Sequence, residues 1–245
     1  MRLSLIPIAI AVLTAGNPSW GEARPPLEVC LVSGSAEYDS DTSLTAFKQY
    51  LEEGYDARCI LLKARGFEDL PGLEALDDCD VALFFTRRLT LDGEQLARVK
   101  KYCLSGKPLV AVRTASHGFQ NWLEFDKLIL GGNYHNHFEG GPALTVTVAP
   151  AARDHPVLHG VGPLDSTASL YKTAPLVEGC KLLLTGLTLE SGGPQPVAWA
   201  RTHMGARVFY TSLGAQSDFA NPAFRRLLAN ALFWTAGRGT AEKQP

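Results

Sequence analysis

Arg113 and His117 follow directly after the apolar run Leu109–Val112. This pattern predicts a buried parallel strand that turns sharply into a helix, and ligands of open α/β sheets bind just beyond the carboxyl ends of such strands. A guanidinium beside the free N–H groups of a helix start could bind an anion or the hydroxyl groups of a sugar. The alternative role for Arg113 is a salt bridge that holds the turn.

The same turn lacks a nucleophile. A catalytic Cys or Ser at such a turn stands between two glycines, as in G-x-S-x-G, because small neighbours permit the strained backbone. Arg113 occupies the apex of the turn, and neither Ser116 nor Ser212 has the pair of glycines. The sequence therefore predicts neither glutamine hydrolysis by a thiolate nor serine hydrolase activity.

Glu37 and Tyr38 follow the first predicted strand, next to the expected switch point of the sheet. There Glu37, or a histidine such as His117, could act as acid or base on a keto-sugar that Arg113 orients. The alternative is a solvated loop that caps the next helix. Tyr38 is also a predicted ligand-binding residue, and Tyr134 could stack on a sugar ring, as could Trp122 if it is exposed.

His135 and His137 could hold a divalent metal. Alternate residues of an extended segment point to one side, and imidazole suits zinc, nickel or iron. A third ligand would still be needed, for which the sequence offers His117, Glu139 or His155. The alternative is a hydrogen-bonded loop pair without metal. His155, which precedes Pro156, is predicted to fix a turn.

Strands alternate with helices in the first half of the chain. The strand-like runs are Glu28–Val32, Cys59–Leu62, Asp80–Phe85 and Leu109–Val112. A stripe of apolar residues from Leu44 to Tyr55 has helical spacing, and Asp92 with Gln95 predicts a capping box at a helix start. This rhythm predicts right-handed βαβ crossovers and a parallel sheet.

The second half changes character. Four runs are predicted as strands joined by turns rich in Gly and Pro: Leu144–Val148, Lys181–Leu184, Pro196–Ala200 and Arg207–Ser212. Short connections of this kind indicate antiparallel additions to the sheet. Asn221-Pro222 is predicted to cap a final helix, and the tail from Gly237 onward is predicted to be frayed.

Length and composition limit the function classes. The 245 residues, 46% hydrophobic and 20% charged, can bury one substantial core. A net charge of -2 argues against a nucleic-acid partner, which would call for a basic face. The chain contains no internal repeat and no low-complexity linker, so residues 24–245 are predicted to form a single domain.

Residues 1–23 resemble an export signal. Arg2 precedes the uncharged run Leu3–Gly16, and Gly21-Glu22-Ala23 has the small residues of a cleavage site. The run is shorter than the ~20 residues of a membrane-spanning helix. We expect cleavage after Ala23, a periplasmic or secreted protein and no stable membrane span after cleavage; a retained anchor is the alternative. Most of the five cysteines are predicted to be small core residues, and disulfide pairing stays open.

Several motifs together resemble the ThuA-like (trehalose utilisation) family. They are Ser33–Tyr38, Leu109–Phe119, Gly131–His137, Asp154–Val157 with Gly160, Ser169–Lys172, Pro196–Trp199, Val208–Gly214 and Asn221–Trp234. The resemblance implies an α/β fold of the flavodoxin-like, class I glutamine amidotransferase-like type, with helices on both faces of a parallel sheet and antiparallel additions in the C-terminal half. Relatives commonly carry His where this chain has Ala215, and an acidic residue before Ser169 is also missing.

The sequence and the resemblance together predict an exported ThuA-like protein that acts on or binds a carbohydrate or sugar-derived metabolite. Glutamine amidotransferase activity is not expected. The alternative is a non-catalytic sugar-binding module, which the absent nucleophile and Ala215 favour, whereas the grouped Glu37, His117 and Arg113 favour an enzyme. The identity of the substrate and the oligomeric state stay open, with a homodimer as one alternative.

Overall fold

Parallel strands and helices alternate in the first half of the protein. The computed structural model describes residues 24–139 and 144–243, so the predicted signal segment lies outside the described residues. The elements are β1 (Leu27–Gly34), α1 (Ser40–Gly54), β2 (Ala57–Lys63), α2 (Ala75–Asp78), β3 (Val81–Thr86), α3 (Gly93–Leu104) and β4 (Leu109–Val112). These strands lie in the order β2-β1-β3-β4, and each neighbouring pair is parallel.

The second half extends the same sheet. Its elements are β5 (Asn136–His137), β6 (Leu144–Val148), β7 (Asp165–Ser166), β8 (Tyr171–Lys172), β9 (Lys181–Leu187), β10 (Gln195–His203), β11 (Ala206–Thr211), α4 (Gln216–Ala220) and α5 (Pro222–Thr235). Strand β11 returns to lie parallel to β4, and β10, β9, β6 and β7 continue outward as antiparallel neighbours. The predicted α/β class with antiparallel additions is thus confirmed.

Two apolar layers hold the sheet between helices. Side chains alternate along a strand, so Val29 and Leu31 pack in the layer of α1 and α5, whereas Cys30 and Val32 face the layer of α3. The predicted stripe from Leu44 to Tyr55 is buried in the first layer. Each large apolar side chain buried in this way contributes about 1.5–3 kcal/mol. The strands therefore form a rigid support for the loops at their ends.

Two local predictions were wrong, and tertiary contacts explain both. The helix predicted to open at Asp92 does begin there, but the Asp92 side chain makes no capping hydrogen bond. The Gln95 side chain does not complete a capping box, because it accepts from the Leu70 N–H at 2.8 Å and donates to Asp69. The tail is docked rather than frayed as far as Lys243, whose N–H donates to the Gly54 carbonyl at 2.9 Å.

The described helices include none with the length and hydropathy of a membrane span.

Candidate functional site

Strained backbone marks one edge of the sheet. Asp39, Arg88 and Arg113 have φ angles of 46°, 50° and 46°, and they follow β1, β3 and β4. A left-handed conformation costs a non-glycine residue about 1–2 kcal/mol, so it persists where the surroundings impose it, commonly at functional sites. The strand order changes direction between β1 and β3, where open α/β sheets bind ligands. This carboxyl edge is therefore the candidate site.

Arg113 is a buried cation between two tyrosine rings. The residue is 1% exposed, and its guanidinium carbon lies 4.5 Å from the ring centre of Tyr38 and 4.6 Å from that of Tyr171. Its Nη2 donates to the Tyr38 hydroxyl at 3.0 Å, and its Nη1 donates to the Ser212 carbonyl at 2.7 Å. Cation–π contacts away from water are among the stronger ones. Arg113 thus ties the β1 loop, β8 and the end of β11 to the turn after β4.

The alternative role predicted for Arg113, a salt bridge that holds the turn, is wrong. Within the described residues its hydrogen-bond partners are carbonyl and hydroxyl oxygens, including the Ser169 hydroxyl at 3.2 Å, and its Nε has no partner. The buried positive charge is therefore balanced by dipoles and ring faces. Close packing supports it from behind: a Cβ on Gly214, whose φ is 134°, would lie 2.6 Å from Val112 Cγ1.

His117 and Tyr134 form a stacked pair beside Arg113. Their ring centres are 4.4 Å apart with an interplanar angle of 18°, and the Tyr134 ring lies 4.6 Å from that of Tyr171. Burial, together with the positive charges of Arg87, Arg88 and Arg113, lowers the pKa of His117 to about 3. Its imidazole is therefore neutral near pH 7, able to donate one hydrogen bond and accept another.

Glu37 lies across the switch point from β3. Its carboxylate is 2.5 Å from Nε of Arg87, and the Arg87 N–H donates to the Gly34 carbonyl at 2.9 Å. The Glu37 side chain is half exposed, so it borders the site rather than the core. Sequence reasoning missed Arg87, although its position just after the buried run Val81–Thr86 is the signal that identified Arg113.

In the described ranges, no third metal-binding side chain lies beside His135 and His137. Each Nδ1 is hydrogen-bonded to a backbone carbonyl, that of Asn133 at 2.9 Å and that of Phe138 at 3.0 Å. No group of three His, Cys, Asp or Glu side chains in the described part of the chain is arranged to hold a metal. These contacts fit the alternative interpretation, in which both histidines are loop residues held by hydrogen bonds. Because β5 pairs with β8, which contains Tyr171, the two histidines flank the edge that carries Arg113.

Asp126 positions Tyr134 and was missed by sequence reasoning. Its Oδ2 accepts from the Tyr134 N–H at 2.7 Å, and a Cβ on Gly132 would lie 2.5 Å from its Oδ1. Burial raises the pKa of Asp126 to about 6. Gly131-Gly132 was the available signal, since it allows the backbone to approach this carboxylate. Trp122, in contrast, is buried against Phe125 and does not reach the site.

Comparison with solved structures supports the fold. A ThuA-like protein from Parabacteroides merdae aligns with a TM-score of 0.66 at 17% identity, covering 90% of this chain and 93% of that one. A ThuA-like protein from Bacteroides uniformis gives 0.65 at 18% identity, with 90% and 95% covered. A cytoplasmic protein from Salmonella typhimurium gives 0.56 at 12% identity, with 89% and 100% covered. At these identities the likeness shows the fold alone.

Sequence comparison identifies the family. A search among curated proteins found no match. The family model described as trehalose utilisation, ThuA, matches residues 28–235. That match includes every residue of the candidate site, from Glu37 to Ser212, and indicates a carbohydrate-related role. Because it spans most of the sequence, this chain belongs to the ThuA family.

Proposed function

We propose that this protein binds a carbohydrate or a sugar-derived metabolite at the edge formed by Tyr134, His117, Tyr38 and Glu37. The observation that carries the proposal is the stacked His117–Tyr134 pair at the strained edge of the sheet. A sugar ring has an apolar face of C–H groups and a rim of hydroxyls, so it suits an aromatic surface bordered by polar side chains. The family indicates a role of the same kind.

Polar groups at the rim match sugar hydroxyls. The Glu37 carboxylate can accept hydrogen bonds and Arg87 can donate them. Neutral His117, whose Nδ1 contacts the Ser116 hydroxyl at 3.2 Å, offers its Nε2 as a donor or an acceptor. Arg113 itself is buried, so it acts on the ligand through Tyr38 and Tyr171, whose rings it holds in place. An anionic sugar derivative would also be attracted by the positive potential of the three arginines that lower the pKa of His117.

The site does not support glutamine hydrolysis. That reaction needs a thiolate nucleophile, and the apex of the turn carries Arg113. Cys30 and Cys103 are both buried in the α3 layer, and burial raises the pKa of Cys103 far above the neutral range. Neither thiol is exposed to a substrate as a thiolate.

Binding without turnover fits the side chains better than acid–base catalysis. A general base works best when its pKa is near the operating pH, and that of His117 is about 3. The half-exposed Glu37 carboxylate favours the enzyme alternative, in which it would act on a keto-sugar. The two functions differ in product formation, which mass spectrometry of each incubated sugar would detect.

Replacing Tyr134 by alanine is expected to weaken sugar binding about tenfold, because it removes the partly exposed aromatic ring on which the sugar would stack. Thermal shift and calorimetry would test a panel of hexoses, trehalose, keto-sugars and sugar acids, with and without divalent metals. A bound ligand raises the melting temperature by mass action. Leu189→Ala is the matched control, because Leu189 is 89% exposed in the turn after β9. Wild-type affinity in Tyr134→Ala, or no binding across the panel, would refute the proposal.

We also propose that the protein is exported and loses residues 1–23. The support is the sequence pattern of Arg2, the apolar run and Gly21-Glu22-Ala23. Mass spectrometry of the protein purified from its native cells should find an N-terminus at or near Arg24. An intact Met1–Ala23 segment would show that export with cleavage does not occur.

A further inference from the structure

A cleft opens beside the β1–α1 loop. Its volume is about 300 Å³, and its lining includes Gly34, Ser35, Asp39, Asp41, Ala64 and Phe67. Neither Glu37 nor Tyr38 lines it. The cleft lies at the carboxyl ends of β1 and β2, one strand further along the sheet than the Tyr134 site. It is large enough for one small ring-shaped ligand.

The polar groups of the cleft are held by a buried hydrogen-bond network. The Ser33 hydroxyl donates to Asp41 Oδ1 at 2.5 Å and contacts the Ser40 hydroxyl at 2.7 Å. Ser35 is fully buried, and its Oγ accepts from the Thr114 hydroxyl at 2.9 Å, which ties the start of the β1–α1 loop to the turn after β4. These bonds therefore hold the Asp41 carboxylate, which lines the cleft, in a fixed position.

One wall is an exposed aromatic ring on an anchored loop. Phe67 is 58% exposed and lines the cleft. Its carbonyl accepts from the Thr90 N–H at 2.7 Å, and Arg65 donates to the Asp69 carbonyl at 2.7 Å. These backbone bonds hold the loop, so little backbone entropy is lost when a ligand contacts the ring.

The charges of the cleft select the class of ligand. Carboxylates of Asp39 and Asp41 disfavour a phosphate or a sugar acid. Asp41 is also 4.0 Å from Nζ of Lys63, which offsets part of its charge and weakens the site for a cation. Carboxylates, which accept hydrogen bonds, and one aromatic face together match a neutral ring with many hydroxyls. We propose that this cleft is a separate binding site for one hexose ring.

The test is a titration followed by ¹H–¹⁵N spectra, with D-glucose, D-galactose and D-mannose as probes. At least one hexose should shift the amide signals of Gly34, Ala64 and Gly66. Phe67→Ala should weaken that binding about two- to tenfold, because the stacking face is lost. Asp39→Asn should weaken it as well, and Asn still caps α1 and tolerates the left-handed backbone. Leu189→Ala serves as the control and should bind like the wild type.

The outcome for this cleft is separable from that for the Tyr134 site. In Tyr134→Ala the cleft signals should still shift. Hexose-induced shifts confined to the amides around His117 and Tyr134 would overturn the cleft proposal and leave the proposed function intact. Shifts of the cleft amides with calcium chloride or inorganic phosphate, but with no hexose, would also overturn it. So would unchanged hexose affinity in Phe67→Ala.

Discussion

Replacing Arg113 by alanine is expected to lower the free energy of unfolding by about 3 kcal/mol. The change leaves a cavity between Tyr38 and Tyr171, and large-to-small substitutions in a core cost about 2–5 kcal/mol. It also removes the donor to the Ser212 carbonyl, and a buried carbonyl without a partner costs about 1–3 kcal/mol. Removal of a buried charge that has no carboxylate partner offsets part of this loss. Urea denaturation of the mature protein would measure the effect.

Arg113→Gly is expected to be more stable than Arg113→Ala by about 1 kcal/mol, because the left-handed φ of 46° at this position penalises a Cβ. The matched control is Ala46→Gly on the exposed face of α1, where glycine should instead cost about 0.5–1 kcal/mol. Equal stability of the two Arg113 variants, or greater stability of the alanine variant, would show that the turn after β4 is not strained.

Stability should fall in mild acid, and His117 should account for about 1–2 kcal/mol of the loss between pH 7 and pH 5. The pKa of His117 is about 3 in the folded protein, below its ordinary value of about 6.5. The unfolded state therefore binds the proton more tightly, and folding stability is lost as the pH falls from about 6.5 toward 3. Denaturation at pH 7 and pH 5 should show a smaller loss for His117→Gln than for the wild type.

Other titratable groups also change the folding stability between pH 7 and pH 5. The contribution of His117 is therefore measured by comparing variants with the wild type. Burial also lowers the pKa of His155 to about 4, which acts in the same direction as His117. Asp126, with a raised pKa of about 6, acts in the opposite direction and gains stability as the pH falls from 6 to 4. The matched control is His159→Gln, because the His159 side chain is exposed. If His117→Gln lost as much stability in acid as the wild type, a neutral, partly buried His117 would be contradicted.

Local patterns were enough to predict the main strands of the sheet and the cap of the last helix. The run Leu109–Val112 has the same bounds in the structure, and Asn221 caps α5 through the Ala223 N–H as predicted. Both signals are contained in a few adjacent residues. Glu37 could be placed near the switch point because the carboxyl ends of parallel strands share one edge.

The partners of the site residues could not be predicted, since they are distant in sequence. Arg113 is enclosed by Tyr38 and Tyr171 rather than paired with an acid, and nothing in the residues around position 113 indicates this. The same holds for Asp126, which fixes Tyr134 only because Gly131 and Gly132 turn the chain back over it. Gln95 likewise bonds to Leu70 and Asp69, which are distant in sequence, rather than completing the predicted capping box.

The most direct measurement is a crystal structure of the protein with the sugar that produces the largest thermal shift. We expect density for a ring whose apolar face lies on Tyr134. Its hydroxyls should be within hydrogen-bond distance of His117, Glu37 or Arg87. A sugar bound elsewhere, with the Tyr134 surface free of ligand, would contradict the proposed site.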